Sequence, residues 1–360
     1  MKISDKYLID DPLELKYLEE ALKQKKLSGT SDLVKKYEEE LATYFKSKYA
    51  IATSSGTASL ICAVQEVASK GDEIILPSTI PLMTAYPLLL LGIKPVFCDS
   101  EKSSLGLDET DLSNKITKKT KAVINVPMWG YPIDYSKQQK IIEENDLVLI
   151  EDAAQAHGAK LCDKFVGTIG KMGCFSTQDR KILPTGEGGF ILTDDKKMAE
   201  GVRKYSCFGF MNGIDFGLNF KLSGLQSALG RARIKQIDSQ IRIRTKNANY
   251  ITKNINSDKI RELKIPSESS PNYYSLLLEI NTKDNAAFIQ KLSDKGIPSD
   301  ILKYDQIPLY EKEIFTPYKT NCSNAKSLLK NITTIPVHPG LGEEELEYIV
   351  KTINNTIEDF

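Results

Sequence analysis

The sequence predicts an α/β protein, with a mostly parallel sheet in a large first domain and a small C-terminal α/β domain. Three observations lead there. From about residue 47, short apolar or β-branched runs alternate with longer helical patterns, the mark of a parallel sheet covered on both faces. A helical stretch from about Ser223 to Asn254 then separates this series from a shorter alternation. With 360 residues and an ordinary hydrophobic fraction of 41%, the chain also exceeds the usual size of one core.

In chain order, Tyr49–Thr53 reads as a strand and Thr57 to Ser69 as the helix after it. Glu73–Leu76 is the next strand, followed by an apolar helix around Ala85 to Leu91 and a strand at Pro95–Cys98. Ala122–Val126 and Leu147–Ile150 continue the series, and Gly189–Thr193 follows a glycine-rich turn. Polar residues or turns stand at the ends of three strands, at Asp99, Pro127 and Asp152. In such sheets the carboxyl ends of the strands form the ligand crevice. Beyond the long helical stretch come a strand at Tyr274–Ile280, a helix at Lys283–Lys295, a short strand at Thr334–Val337 and a closing helix at Glu343–Ile357. The expected division is a large domain over 1–240, with an N-terminal arm over about 1–30, and a small domain over 241–360.

Composition excludes several classes of partner. The 48 Lys and Arg residues balance 48 Asp and Glu, and no block of one sign is long enough for a nucleic-acid arm or a membrane patch. The start, Met1 to Lys6, carries charges where a signal peptide needs its apolar core, and no apolar run approaches a bilayer span. A cytoplasmic location is therefore expected. The six cysteines are scattered with no CxxC pair, and the two histidines, His157 and His338, have no metal-ligand spacing, so no metal is expected.

Four segments carry candidate chemistry. In Ser54-Ser55-Gly56-Thr57-Ala58, small residues and the free amides of a helix start suit a phosphate, although a capped helix alone would look the same. In Glu151-Asp152-Ala153-Ala154-Gln155-Ala156-His157, a carboxylate at a strand end can pair with a pyridine nitrogen, and Gln155 can donate to a ring oxygen. The competing reading makes Asp152 a helix cap and Gln155 its capping-box partner. In the third segment, Lys181 sits between an apolar strand containing Phe175-Ser176 and the turn Gly186-Glu187-Gly188-Gly189. A lysine held there with a lowered pKa can form a Schiff base and later shuttle a proton, and Ser176 is a second phosphate candidate. The fourth is the loop Gly217 to Ser223, where Asn219 either caps the next helix or completes a phosphate site in a neighbouring subunit.

Taken in this order and together, these segments resemble the DegT/DnrJ/StrS family of sugar aminotransferases. The likeness runs through nearly the whole chain and includes the late run Ile335-Pro336-Val337-His338-Pro339-Gly340-Leu341 before an acidic helix. It implies the fold type I of pyridoxal 5′-phosphate (PLP) enzymes, similar to aspartate aminotransferase. By the same resemblance, Lys181 would be the Schiff-base lysine and Asp152 the partner of the pyridine nitrogen. Gln155 would meet the ring oxygen, Gly56, Thr57 and Ser176 the phosphate, and Asn219 the phosphate of the other subunit in a homodimer with shared sites. Three positions depart from the family pattern. Pro81 stands where a ring-stacking aromatic is usual, Pro127 replaces a histidine, and Lys221 replaces the arginine of an Asn-x-Arg run, exchanging a fork for a point charge.

The resemblance implies transfer of an amino group from glutamate or glutamine to a nucleotide-linked keto-deoxy sugar, for surface polysaccharide. The same chemistry on a smaller phosphorylated or cyclic ketone, and a catalytically silent PLP-binding protein, stay open. Dehydratase relatives of the family use PLP without net amino transfer and are expected to carry a histidine where Lys181 stands.

Overall fold

The computed structural model describes residues 1–360. Two helices, α1 (Pro12–Lys23) and α2 (Asp32–Phe45), precede the main sheet. Then strands and helices alternate: β1 (Tyr49–Thr53), α3 (Gly56–Val67), β2 (Glu73–Pro77), α4 (Leu82–Leu91), β3 (Lys94–Cys98), α5 (Glu109–Lys115), β4 (Thr120–Asn125), α6 (Ser136–Glu144) and β5 (Val148–Asp152). After two short strands, β6 (Lys160–Leu161) and β7 (Lys164–Phe165), come β8 (Met172–Ser176), β9 (Gly189–Thr193) and α7 (Lys196–Ser206). The seven-stranded sheet has the order β1-β9-β8-β5-β4-β2-β3. Only β9 runs against the rest, antiparallel to both β1 and β8, so the sheet is mostly parallel.

Strand alternation sorts the side chains between the two faces. Ile74, Leu76, Ile124, Ile150 and Ile191 join one core with Leu60 and Ile61 of α3. Their neighbours Ile75, Val123 and Leu149 pack with Leu112 and Ile142 from α5 and α6. Phe190 and Leu192 face Tyr37, Leu41 and Phe45 of α2. Each strand is thus buried on both faces, which is why these runs read as continuously apolar.

The helical stretch expected over 223–254 is two helices, α8 (Gly224–Ile234) and α9 (Ile237–Asn254), broken at Lys235 and Gln236. A second, antiparallel sheet follows, ordered β10 (Ile260–Glu262), β12 (Leu276–Ile280), β13 (Ile332–Ile335), while β11 (Ser269–Ser270) pairs with β6. Its helices are α10 (Asn285–Asp294), α11 (Asp300–Lys303), α12 (Ser323–Asn331) and α13 (Glu343–Ile357). The closing strand lies two residues earlier than expected, at Ile332–Ile335. The apolar core is continuous from Ile51 of β1 to Ile353 of α13, and Asp99 at the end of β3 accepts from the amides of Asn324 and Ala325. No helix is long and apolar enough to cross a membrane.

The loop after β4 joins the two sheets. Trp129 has φ +53° and Gly130 φ +82°, turning the chain so that Tyr131 receives the amide of Leu277 on its hydroxyl at 3.0 Å. A Cβ on Gly130 would lie 1.7 Å from Asn272 Oδ1, so only glycine fits there. Gly71 also has positive φ, at +93°, but has open space around it. Gly130→Ala is therefore expected to cost about 3 kcal/mol or more in denaturant unfolding, against about 1 kcal/mol for Gly71→Ala. Equal losses would show that the packing against Asn272 is unimportant.

Candidate active site

The crevice at the carboxyl end of the sheet is built by strand ends. β5 finishes at Glu151 and Asp152, whose side chains leave on opposite faces. Glu151 is fully buried and accepts the amides of Gly167, Ile169 and Gly170 at 2.7–2.9 Å and the Tyr135 hydroxyl at 3.0 Å. It thereby anchors the excursion that leads into β8. Asp152 points into the crevice, where Thr84 Oγ1 donates to Oδ2 at 2.6 Å and the Ala154 amide donates to Oδ1 at 3.2 Å. No helix starts at this point, so the capping-box reading of Asp152 and Gln155 is excluded.

Lys181 lies in the loop between β8 and β9. Backbone bonds from Thr177 to Gly188 (2.8 Å), from Thr185 to Thr177 (2.6 Å) and from Lys181 to Gln178 (2.8 Å) hold that loop, and Gln240 of α9 donates to the carbonyl of Ile182 at 2.8 Å. Its ammonium sits over the ring of Tyr274, 5.4 Å from the centroid. Burial lowers the Lys181 amine below the ordinary lysine value, opposed by the carboxylates of Asp152 and Asp300. Burial raises the Asp152 carboxyl, opposed by Thr84, the Ala154 amide and Lys181. Each group favours its neutral form more than it does in water.

A cavity of about 280 Å³ contains Gly56, Thr57, Asp152, Gln155, Ser176 and Lys181 in its walls. At one end α3 begins with Ser55 as its cap, accepting the Ala58 amide at 3.0 Å, so the helix start points free amides of Gly56 and Thr57 at this space. Gly56 cannot bear a side chain, because a Cβ would meet Ser176 Cβ at 2.7 Å. Gln155 Oε1 accepts the Trp129 amide at 2.6 Å, which leaves its NH₂ group for a ligand. Asn219 is exposed outside this cavity, held by Lys221 Nζ at 2.6 Å. It caps nothing, since Ser223 caps α8 with Gln226 as box partner.

Two of the three departures noted in the sequence, Pro81 and Pro127, also line this space, while Lys221 lies outside it with Asn219. Pro81 and Met83 from the start of α4 face it, with Pro127 and Met128 from the loop after β4. No aromatic ring lines it. Sequence reasoning missed Thr84, Tyr274, Asp300 and Trp129. Trp129 Nε1 donates to Asp300 Oδ2 at 3.2 Å. None of these four sits in a motif, and Tyr274 and Asp300 come from the far side of α9.

The residues present fit PLP: a dianion site at a helix start, a carboxylate for a ring nitrogen and a buried, easily deprotonated amine face one cavity. The model of the DegT/DnrJ/EryC1/StrS aminotransferase family matches residues 9–354. The chain belongs to that family. It is accordingly a PLP-dependent transaminase with the type I fold. A GDP-perosamine synthase of Escherichia coli O157:H7 is 28% identical over 353 residues, covering 96% of each chain. A GDP-4-keto-6-deoxy-D-mannose 3-dehydratase of Yersinia pseudotuberculosis is 32% identical over 295 residues, 73% of this chain and 75% of that one. In fold, an aminotransferase from Streptoalloteichus hindustanus superposes over the whole of both chains with a TM-score of 0.91 at 21% identity.

Because burial raises Asp152, the folded cofactor-free protein holds that proton more tightly than the unfolded chain. The stability this contributes is full below the ordinary carboxylate range and is lost as pH rises through the raised value. Asp152→Asn is thus expected to stabilise the cofactor-free protein at neutral pH by about 1 kcal/mol, with the gain fading in acid. A urea-unfolding series across pH tests this, and a pH-independent difference would contradict it.

Proposed function

We propose that this chain moves an amino group from glutamate or glutamine to the keto group of a nucleotide-linked deoxy sugar, in the making of surface polysaccharide. The observation that carries the reading is the convergence of the Lys181 amine and the Asp152 carboxylate on one cavity that opens onto a second. That second cavity, of about 260 Å³, shares Lys181, Gln155 and Pro81 with the first and is walled by Trp129, Ile307 and Leu309. Apolar walls suit a deoxy sugar ring. The GDP-perosamine synthase likeness supports a nucleotide-linked acceptor.

When bound, PLP supplies an electron sink for the carbon that loses or gains a proton. Gly56, Thr57 and Ser176 would bind its phosphate, the last through its hydroxyl. Asp152, steadied by Thr84, would keep a proton on the ring nitrogen, and Gln155 would donate to the ring oxygen. Lys181 would hold the cofactor through its amine. Its Nζ, with the pKa lowered by burial that general-base work requires, would take a proton from the donor's α-carbon and give the same proton to the carbon that accepts it in the exchange. The Tyr274 ring stabilises that nitrogen while it is charged.

A homodimer with shared sites belongs to this reading. Phe210, Met211, Ile214 and Phe216 are exposed on the segment just before Asn219, an apolar surface that a second copy would cover, bringing Asn219 to the phosphate of its neighbour. The six unpaired cysteines suit the reducing cytoplasm. The likeness to a dehydratase favours a second reading, the same cofactor without net amino transfer. Lys181 opposes it, standing where those relatives are expected to carry histidine.

Purified protein given PLP is expected to show a visible band that glutamate or glutamine bleaches and a keto-sugar nucleotide restores. Lys181→Ala should abolish the exchange by at least about a thousandfold. Turnover with small ketones alone would remove the sugar acceptor, and a dehydrated product without amine would favour the second reading. Ile214→Asp is expected to give single protomers by light scattering, with turnover falling at least tenfold. A wild type that is active as a single protomer would contradict the shared site.

A further inference from the structure

With Pro81 in place of the usual aromatic, one face of a flat ring in the cofactor cavity has no ring of the protein to lie against. The other apolar side chains there are nearly all committed elsewhere. Prolines and alanine aside, they are Leu60, Val126, Met128 and Met83. The first three are 3–4% exposed and belong to the main core. Met83 is the exception. It stands in the first turn of α4, 56% exposed, on the wall of both the cofactor cavity and the second cavity beside it.

The bonds to Asp152 indicate how a ring must lie. One carboxylate oxygen takes the hydroxyl of Thr84 from α4, and the other takes the amide of Ala154. The carboxylate is thus held between the start of α4 and the turn at Ala154. A flat ring whose nitrogen faces it has α4 along one face and Ala154 along the other. Met83 directly precedes Thr84 in that turn of α4. Pro81 precedes the helix with φ −73° and ψ 153° and brings only a short, rigid ring. A methionine has three rotatable bonds and a polarizable sulfur that settles about 5 Å from an aromatic ring.

We propose that Met83 covers the face of the PLP ring turned toward α4, taking the part that an aromatic side chain at position 81 plays in the usual family pattern. The inference rests on the cofactor's place in this cavity and is independent of the choice of acceptor. A thioether covers less of a flat ring than a second ring does. The cofactor is then held chiefly at its phosphate, at its nitrogen and by Lys181, so a form of it with no bond to Lys181 depends on Met83 most. Met83 also begins an exposed apolar stripe with Tyr86 and Leu90, and a second copy of the chain lying on that stripe is the competing use of the side chain.

Two measurements separate these uses. The first is calorimetric binding of pyridoxamine 5′-phosphate, which carries an amine in place of the aldehyde and forms no bond with Lys181. Met83→Ala is expected to weaken it by about fivefold or more, and Met83→Phe to hold it at least as tightly as the wild type. Adding Pro81→Phe to Met83→Ala should bring the affinity back to within about twofold of the wild type, since a ring at position 81 then covers the same face. The second measurement exposes the wild type to dilute hydrogen peroxide and follows each methionine by peptide mass spectrometry, with Met1, 58% exposed, as the internal standard. PLP should slow oxidation of Met83 by about fivefold or more and leave Met1 within about twofold. If Met83→Ala fails to fold, the peroxide comparison on the wild type decides the matter. Unchanged affinity in a folded Met83→Ala, or oxidation of Met83 at one rate with and without PLP, as a covering second copy would give, would overturn the contact and leave the cofactor in its cavity. A wild type that gains no visible band with PLP would instead sink the cofactor's place itself.

Discussion

Two groups of opposite charge share one cavity that disfavours both charges, and the surrounding fold is arranged around that cost. Lys181 and Asp152 stabilise each other only in part, since burial lowers the one and raises the other despite their attraction. A separation of twenty-nine positions is bridged because β5 and β8 are parallel neighbours and the loop after β8 turns back along β9. The rest of the crevice holds this pair in place. Glu151 ties down the excursion between β5 and β8, Thr84 fixes one oxygen of Asp152, and Gln240 reaches across from α9 to the lysine loop. A site strained in this way gains its stability when a ligand supplies the missing charges, which is what an aldehyde with a ring nitrogen and a phosphate does.

The second sheet is joined to the first by polar contacts at a few points and by a continuous apolar core. Tyr131 links the β4 loop to β12, and Asp99 links β3 to α12. The expected boundary between residues 240 and 241 falls inside α9, a helix that carries Gln240 on the lysine loop and Arg244 against Tyr274. One helix thus reports to both sides of the crevice.

The strands of the main sheet were legible because burial on both faces leaves uninterrupted apolar runs. The reversal of β9 was not, since direction leaves no trace in a five-residue run. β6, β7 and β11 are two residues long and have no period to detect. The break between α8 and α9 escaped because Lys235 and Gln236 are ordinary helix formers. In the crevice, Gly56, Thr57, Asp152, Gln155, Ser176 and Lys181 could be named in advance because each stands at a strand end or helix start with a distinctive local pattern. Thr84, Tyr274, Arg244 and Asp300 could not, because each is an unremarkable residue until the chain brings it from a distant segment. Asn219 lies apart from the others within one protomer, and its expected role needs a second copy.

The central claim is that one amine among many lysines carries the cofactor. Reducing the PLP-loaded protein with borohydride and mapping the modified peptide by mass spectrometry tests it most directly. A single pyridoxyl mark on Lys181 is expected; a mark on any other lysine, or none, would contradict that assignment.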